Sequence, residues 1–294
     1  MWLRPAAKHG MPHRVNRSRC LSGIIVAAAL AGCSHRAPVA TASIGRPTTG
    51  FDQAPPFSRL SYAPFSRADA VAIALREWRL WGMAVDDDPP DTRPPQTTDY
   101  DKPERFPGMW ERVGEYWWTS QDSSTRFAYW TGKHDENGQV FPPTRDGFYA
   151  WSAAFISYIM RVAGAGNRFP YSAAHADYIN AAREVSLGHT NAYIVSAQRP
   201  ETYAPQPGDL ICLGRGTSQA LTFDSLPAAS FPGHCDMVVA AQQGQLTVIG
   251  GNVDDTVTEK HVPTTPSGTL ADPVTGVVDT RYPWFVVLRV LYDQ

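Results

Sequence analysis

Ser152 stands at the head of an apolar stripe: Phe155, Ile156, Ile159 and Ala163 follow it at helical spacing. Its hydroxyl is therefore expected to point toward the sheet side rather than into bulk water. A serine attacks a carbonyl only when a base takes its proton during the attack. The downstream base candidate is His234, in Gly233-His234-Cys235-Asp236, where a glycine feeds a strand. Strand alternation places His234 and Asp236 on one face and Cys235 on the other. Asn252, in Ile249-Gly250-Gly251-Asn252 where the next strand is expected to end, can hold an imidazole in one tautomer. Ser152, His234 and Asn252 thus form a candidate nucleophile, base and orienting residue. Trp151, His175 and Asp236 are candidates for the surrounding cleft, with Asp236 placed to orient His234 or to bind a substrate amine. Each has a plainer reading. Serine is a favoured helix N-cap, and Gly-Gly-Asn suits a turn. His175 fits the exposed start of a short helix, His234 a strand entrance, and Asp236 a partner for a surface arginine.

Cys235 is a rival nucleophile, but its side chain faces away from His234. A zinc site from Cys212, His234, Cys235 and Asp236 lacks a usual ligand spacing, so no metal or other cofactor is expected.

The elements that must position these residues can be read from periodicity. A helix opens at Ser66, with Asp69 as a capping-box partner and Val71, Ala74, Leu75 and Trp78 at helical spacing. The acidic, proline-laden stretch 86–107 reads as a loop. Residues 109–118 read as a second helix with Trp110, Val113 and Trp117 on one face, and 121–146 is turn-rich. A helix over 152–163 is stopped by Gly164 and Gly166, and a shorter one starts near Ser172. After Pro205-Gln206-Pro207-Gly208 the period changes to strands at 209–213, 234–241, 245–249, 256–262 and 284–292. The second and third are joined across Gln243-Gly244 as a hairpin. Helices first and hairpin-linked strands second predict an α+β fold with an antiparallel sheet.

The N-terminus carries Arg14, Arg17 and Arg19 before an apolar run over 21–30, too short for a mature membrane span. Leu30-Ala31-Gly32-Cys33 follows and resembles the lipobox of bacterial lipoproteins, in which the cysteine is lipidated. The plainer alternative is an ordinary secretory signal with a chance cysteine. The expected organisation is a leader over 1–32, a Pro/Gly/Ser-rich tether over 33–64, and one domain over 65–294 with its core at 147–294. Cys33 would anchor the chain to a membrane, and Ser34 after it resembles sorting to the periplasmic face of the outer membrane. Of the four cysteines, Cys20 leaves with the leader and Cys33 is lipidated. Cys212 and Cys235 remain, and an even pair in an oxidising compartment is read as a disulfide. A formal net charge of -2 with mixed signs argues against a nucleic-acid partner.

The segment Trp151-Ser152-Ala153-Ala154-Phe155, the Pro207-Gly208-Asp209 turn, Gly233-His234 and Gly250-Gly251-Asn252 occur in an order that resembles the NlpC-type and CHAP amidases. Those are papain-like cysteine peptidases of cell-wall peptide. The resemblance is more detailed, through Tyr116-Trp117, Ser152-Ala153-Ala154-Phe155 and His234-Cys235-Asp236, to a bacterial lipoprotein family called domain of unknown function 2272. It implies a papain-like α+β fold and an envelope hydrolase acting on peptidoglycan. The departure is Ser152, which stands where those peptidases carry cysteine. A helix N-terminus and a nearby histidine activate a thiol far more than a hydroxyl. The alternative is an inactive frame that binds cell-wall peptide or glycan, or serves as an envelope scaffold.

Overall fold

The computed structural model describes residues 63–89, 100–120, 132–134 and 139–293, which together hold the helices and sheet below. The leader, Cys33 and most of the tether fall outside them. The chain divides into two units, Met1–Pro55 and Pro56–Gln294, and the second holds every helix and strand named below.

Helix α1, Arg67–Leu80, starts where the sequence indicates: Ser66 accepts from the Asp69 amide at 3.0 Å and donates to its carboxylate at 2.7 Å. Its buried stripe is Ala70, Ala74 and Glu77. Helix α2, Met109–Ser120, buries Val113, Tyr116 and Ser120, while Trp110 and Trp117 are half-buried. Helix α3, Ser152–Val162, ends on Ala163 before Gly164, whose φ of +94° only glycine adopts without strain. Sequence periodicity suggested one apolar stripe for α3, yet every side chain from Ser152 to Met160 is buried. The helix is packed between α2 and the sheet, with α1 beside it on the same strands.

The buried carboxylate of Glu77 ties these helices together. It accepts from Arg112 Nε at 2.7 Å, Tyr116 Oη at 2.7 Å and Tyr158 Oη at 3.2 Å. Helix α4, His175–Ser186, opens three residues later than expected and is not shorter than its predecessor: 12 residues against 11 for α3.

The strands are β1, Ala84–Val85; β2, Val195–Gln198; β3, Leu210–Gly214; β4, Gly233–Gln242; β5, Gln245–Val253; β6, Thr256–Pro263; β7, Ala271–Asp272; β8, Gly276–Val277; and β9, Trp284–Val290. Seven form one sheet in the order β1-β6-β5-β4-β3-β9-β2, and β7 pairs with β8. Every pairing in the large sheet is antiparallel except β1 with β6. The fold is α+β with a mostly antiparallel sheet, as the element order implied. Strands β1 and β2 carry no alternating apolar pattern long enough to announce them.

One strand corrects the sequence reading in a place that matters. Strand β5 does not end at Ile249 but continues through Gly250, Gly251 and Asn252 to Val253. The turn lies at Asp254-Asp255, with φ of +51° and +58°, and joins β5 to β6. These two strand positions take glycine because neighbours occupy the space that side chains would need. A Cβ on Gly250 would lie 1.9 Å from Asp236 Oδ1, and one on Gly251 would lie 2.6 Å from Phe155.

Cys212 and Cys235 are directly opposed across β3 and β4 and form a disulfide, with their Cα atoms 4.1 Å apart. That is close to the spacing of a non-hydrogen-bonded antiparallel pair. Both are fully buried, and Cys235 is therefore not a candidate nucleophile.

Candidate functional site

Ser152 is the first residue of α3, and the N-cap is Trp151, so the serine does not serve as the cap. Trp151 is completely buried, stacked on Trp81 with ring centroids 5.2 Å apart. Its indole N–H donates to Glu104 Oε2 at 2.5 Å, and Glu104 is paired with the buried Lys133 at 2.6 Å. Trp151 is thus a structural anchor that fixes where α3 begins. With the helix start held, Ser152 Oγ lies 2.7 Å from His175 Nε2. His175 heads α4, and its Nδ1 is hydrogen-bonded to Tyr178 Oη one turn along the same helix. Ser152 and His175 are each only 4% exposed.

His234 occupies the start of β4, also buried, with its ring centroid 5.4 Å from that of His175. Its Nε2 bonds Asp236 Oδ1 at 2.7 Å, and Lys260 Nζ donates to Asp236 Oδ2 at 2.6 Å. Burial alone would raise the Asp236 pKa; the ammonium of Lys260 and then His234 overcome it and hold the carboxyl well below its usual range. An ionised carboxylate only accepts, so His234 Nε2 carries the proton and donates it. Burial keeps the ring neutral, against the pull of Asp236, so Nδ1 presents a bare lone pair. That nitrogen has no hydrogen-bond partner among the described residues.

The sequence-derived set is therefore brought together in an altered arrangement. Ser152 hydrogen-bonds His175, a residue the sequence marks only as a cleft candidate, and not His234. The orienting partner of His234 is Asp236, two residues along its own strand, and not Asn252. Asn252 lies in a bulged part of β5 at φ +56° and lines, with His234, a cavity of about 280 Å³ beside the sheet. Neither Ser152 nor His175 lines that cavity. Among the described residues no group of three His, Cys, Asp or Glu side chains is placed to hold a metal ion. No described helix is long and apolar enough to cross a membrane.

A family profile for uncharacterized proteins conserved in bacteria, DUF2272, matches residues 104–290. The chain belongs to this family. No curated protein and no solved structure matches it.

The DUF2272 span begins at Glu104, the residue that holds Trp151, and contains Ser152, both buried imidazoles and strands β2 to β9. Two members of its polar network escape the sequence reading. Lys260 lies on β6, two strands from Asp236, and reads as an ordinary polar position in an alternating strand. Tyr178 stands one helical turn after His175, a spacing that would have placed the two side chains together.

His175 and His234 make the stability of this chain depend on pH. Burial is the main cause holding both imidazoles neutral, and protonation of His234 would further oppose protonation of His175. Their folded pKa values lie below the unfolded value, so the unfolded chain binds more protons as pH falls. The stabilisation is complete above about pH 6.5 and is lost below it, by up to about 1.4 kcal/mol per pH unit for each group. Urea unfolding at pH 7.5, 6.5 and 5.5 should show this decline, and a smaller one in His175→Gln. Equal stability at all three values would refute it.

Proposed function

We propose that this chain is a serine-dependent amide hydrolase acting on cell-envelope peptide, most simply the stem peptides of peptidoglycan. The contact that carries the reading is Ser152 Oγ to His175 Nε2 at 2.7 Å, at a helix N-terminus. A nucleophile bonded to an imidazole that is itself bonded to a third group is the arrangement hydrolytic serines need. In the reacting tautomer His175 Nδ1–H donates to Tyr178, and Nε2 takes the Ser152 proton as Oγ attacks. The same nitrogen then returns the proton to the leaving amine, and water hydrolyses the acyl-enzyme. Backbone N–H groups at the start of α3 supply donors for the oxyanion. His234 and Asn252, expected from the sequence as base and orienting residue, become cavity-wall residues that meet the substrate.

The papain-like frame and the envelope location belong to the same proposal. The order of Ser152, His234 and Asn252 on a helix and two adjacent strands supports the first. The lipobox-like Cys33 supports a lipid-anchored chain at the periplasmic face of the outer membrane, and the Cys212–Cys235 disulfide suits an oxidising compartment.

A second reading is favoured by one observation: Ser152 is almost fully buried and does not line the cavity. On that reading the chain binds cell-wall peptide or glycan without cutting it. Incubating the full-length protein with purified peptidoglycan, with products read by mass spectrometry, separates the two. Hydrolysis predicts released peptide from wild type and none from Ser152→Ala. If neither wild type nor Ser152→Cys releases any product, the hydrolase is excluded and the binding reading stands.

A further inference from the structure

The cavity beside His234 has an unusual balance of committed and uncommitted groups. Three cations, Arg215, Lys260 and Arg281, and one carboxylate, Asp254, line it. Lys260 is bound to Asp236 at 2.6 Å. Arg281 grips Asp279 through Nε at 2.9 Å and Nη2 at 3.1 Å, and also donates to the Asp87 and His261 carbonyls. The Arg215 guanidinium makes no hydrogen bond or ion pair among the described residues, and it is exposed at the cavity wall. Gln219 and Asn252 line the same space with side-chain amides that likewise bond no described residue. His234 also lines the cavity, and its buried Nδ1 has no hydrogen-bond partner among the described residues. Convergent polar side chains that bond no described protein group and line a concave site are available to a ligand.

The position of Arg215 is built rather than incidental. It follows β3 directly, and its backbone N–H donates to Pro232 at 2.9 Å, pinning it beside the entry to β4 and so beside His234. The next turn folds back tightly because Gly214 has no side chain: a Cβ there would lie 1.9 Å from the Ser218 carbonyl oxygen. The charge of Arg215 is felt at both His175 and His234.

We infer that this cavity is a subsite for a peptide carboxylate, with Arg215 as its specificity-determining residue and Gln219 and Asn252 as neutral hydrogen-bonding neighbours. One uncommitted guanidinium matches a single negative charge and can grip both carboxylate oxygens at once. A phosphate dianion would call for a second free cation, and Lys260 and Arg281 are already taken. A cavity of about 280 Å³ lies at the small end of ligand sites and suits the end of a peptide rather than a long strand of it. The inference shares with the proposed function only the assignment of this cavity as substrate-facing, and it holds whether or not the bound peptide is cut.

The test is calorimetric binding to the full-length chain in the Ser152→Ala background, where cleavage is not measured. The probes are a peptidoglycan stem tetrapeptide with a free C-terminal carboxylate and the same peptide as its carboxamide. A charge-assisted pair predicts about ten- to a hundredfold tighter binding of the carboxylate form. Arg215→Gln should remove that preference, lowering the affinity of the carboxylate form far more than that of the carboxamide, and should leave thermal stability unchanged, since the side chain is exposed. Arg215→Lys should keep part of it. Equal affinity for both peptides, binding of neither, or an unchanged preference in Arg215→Gln would overturn the inference. Displacement of the peptide by inorganic phosphate but not by acetate would overturn the carboxylate assignment. Failure to cut peptidoglycan with the carboxylate preference intact would refute the hydrolase alone.

Discussion

Replacing Asp236 with Asn is expected to destabilise the domain by about 3–5 kcal/mol, because it leaves a buried ammonium without its counter-charge. Lys260 is 2% exposed, and its one ion pair among the described residues is the 2.6 Å contact with Asp236. That ammonium also lies over the face of Tyr282, 5.5 Å from the ring centroid, a contact that cannot replace a carboxylate. The Asn amide also no longer compels His234 to carry its proton on Nε2, so the lone pair at Nδ1 ceases to be assured. The double variant Asp236→Asn with Lys260→Met should recover much of the lost stability, since the stranded charge is gone. It should not recover the tautomer. Urea unfolding of the two single variants and the double gives the coupling energy, and imidazole nitrogen chemical shifts report the tautomer. A single variant costing under about 1 kcal/mol, or a double as unstable as Asp236→Asn alone, would show that the pair does not carry this weight.

Gly250→Ala is expected to cost about 3 kcal/mol, more than its modest change in volume suggests. The added methyl would lie 1.9 Å from Asp236 Oδ1 and 3.0 Å from His234 Nε2. The carboxylate cannot swing aside at little cost, since His234 holds one oxygen and buried Lys260 the other. Either the ion pair or the imidazole bond must open. Gly244→Ala is the control: that glycine sits at φ +81° in the β4–β5 turn with nothing within 4 Å of an added Cβ. Its loss is the backbone strain alone, about 1–2 kcal/mol. Unfolding free energies that rank Gly250→Ala no worse than Gly244→Ala would mean the strand gives way easily at Asp236. Nuclear magnetic resonance of the His234 ring then distinguishes the two variants, since only Gly250→Ala should disturb it.

Much of the frame is legible without coordinates, because local periodicity carries it. The capped start at Ser66, the helix that begins at Ser152 and stops at Gly164, and the hairpin at Gln243-Gly244 all follow from spacing and turn residues. Alternation along β4 correctly puts His234 and Asp236 on one face and Cys235 on the other, facing Cys212. Gly250 and Gly251 read locally as a turn, and the structure makes them strand. In a strand, a glycine marks the close approach of something else, and only the packed structure says what.

By itself the sequence determined most of the longer elements, the α+β order, and which residues share a face of β4, since these depend on neighbours within a few residues. The partners of the buried polar groups depend on contacts across the fold. Ser152 meets His175 because α3 and α4, 23 residues apart at that contact, both pack against β4. Asp236 meets Lys260 because β4 and β6 flank β5, whose glycine leaves room between them. Periodicity assigns a side chain to a face but not to a partner on another element; the tertiary structure decided that.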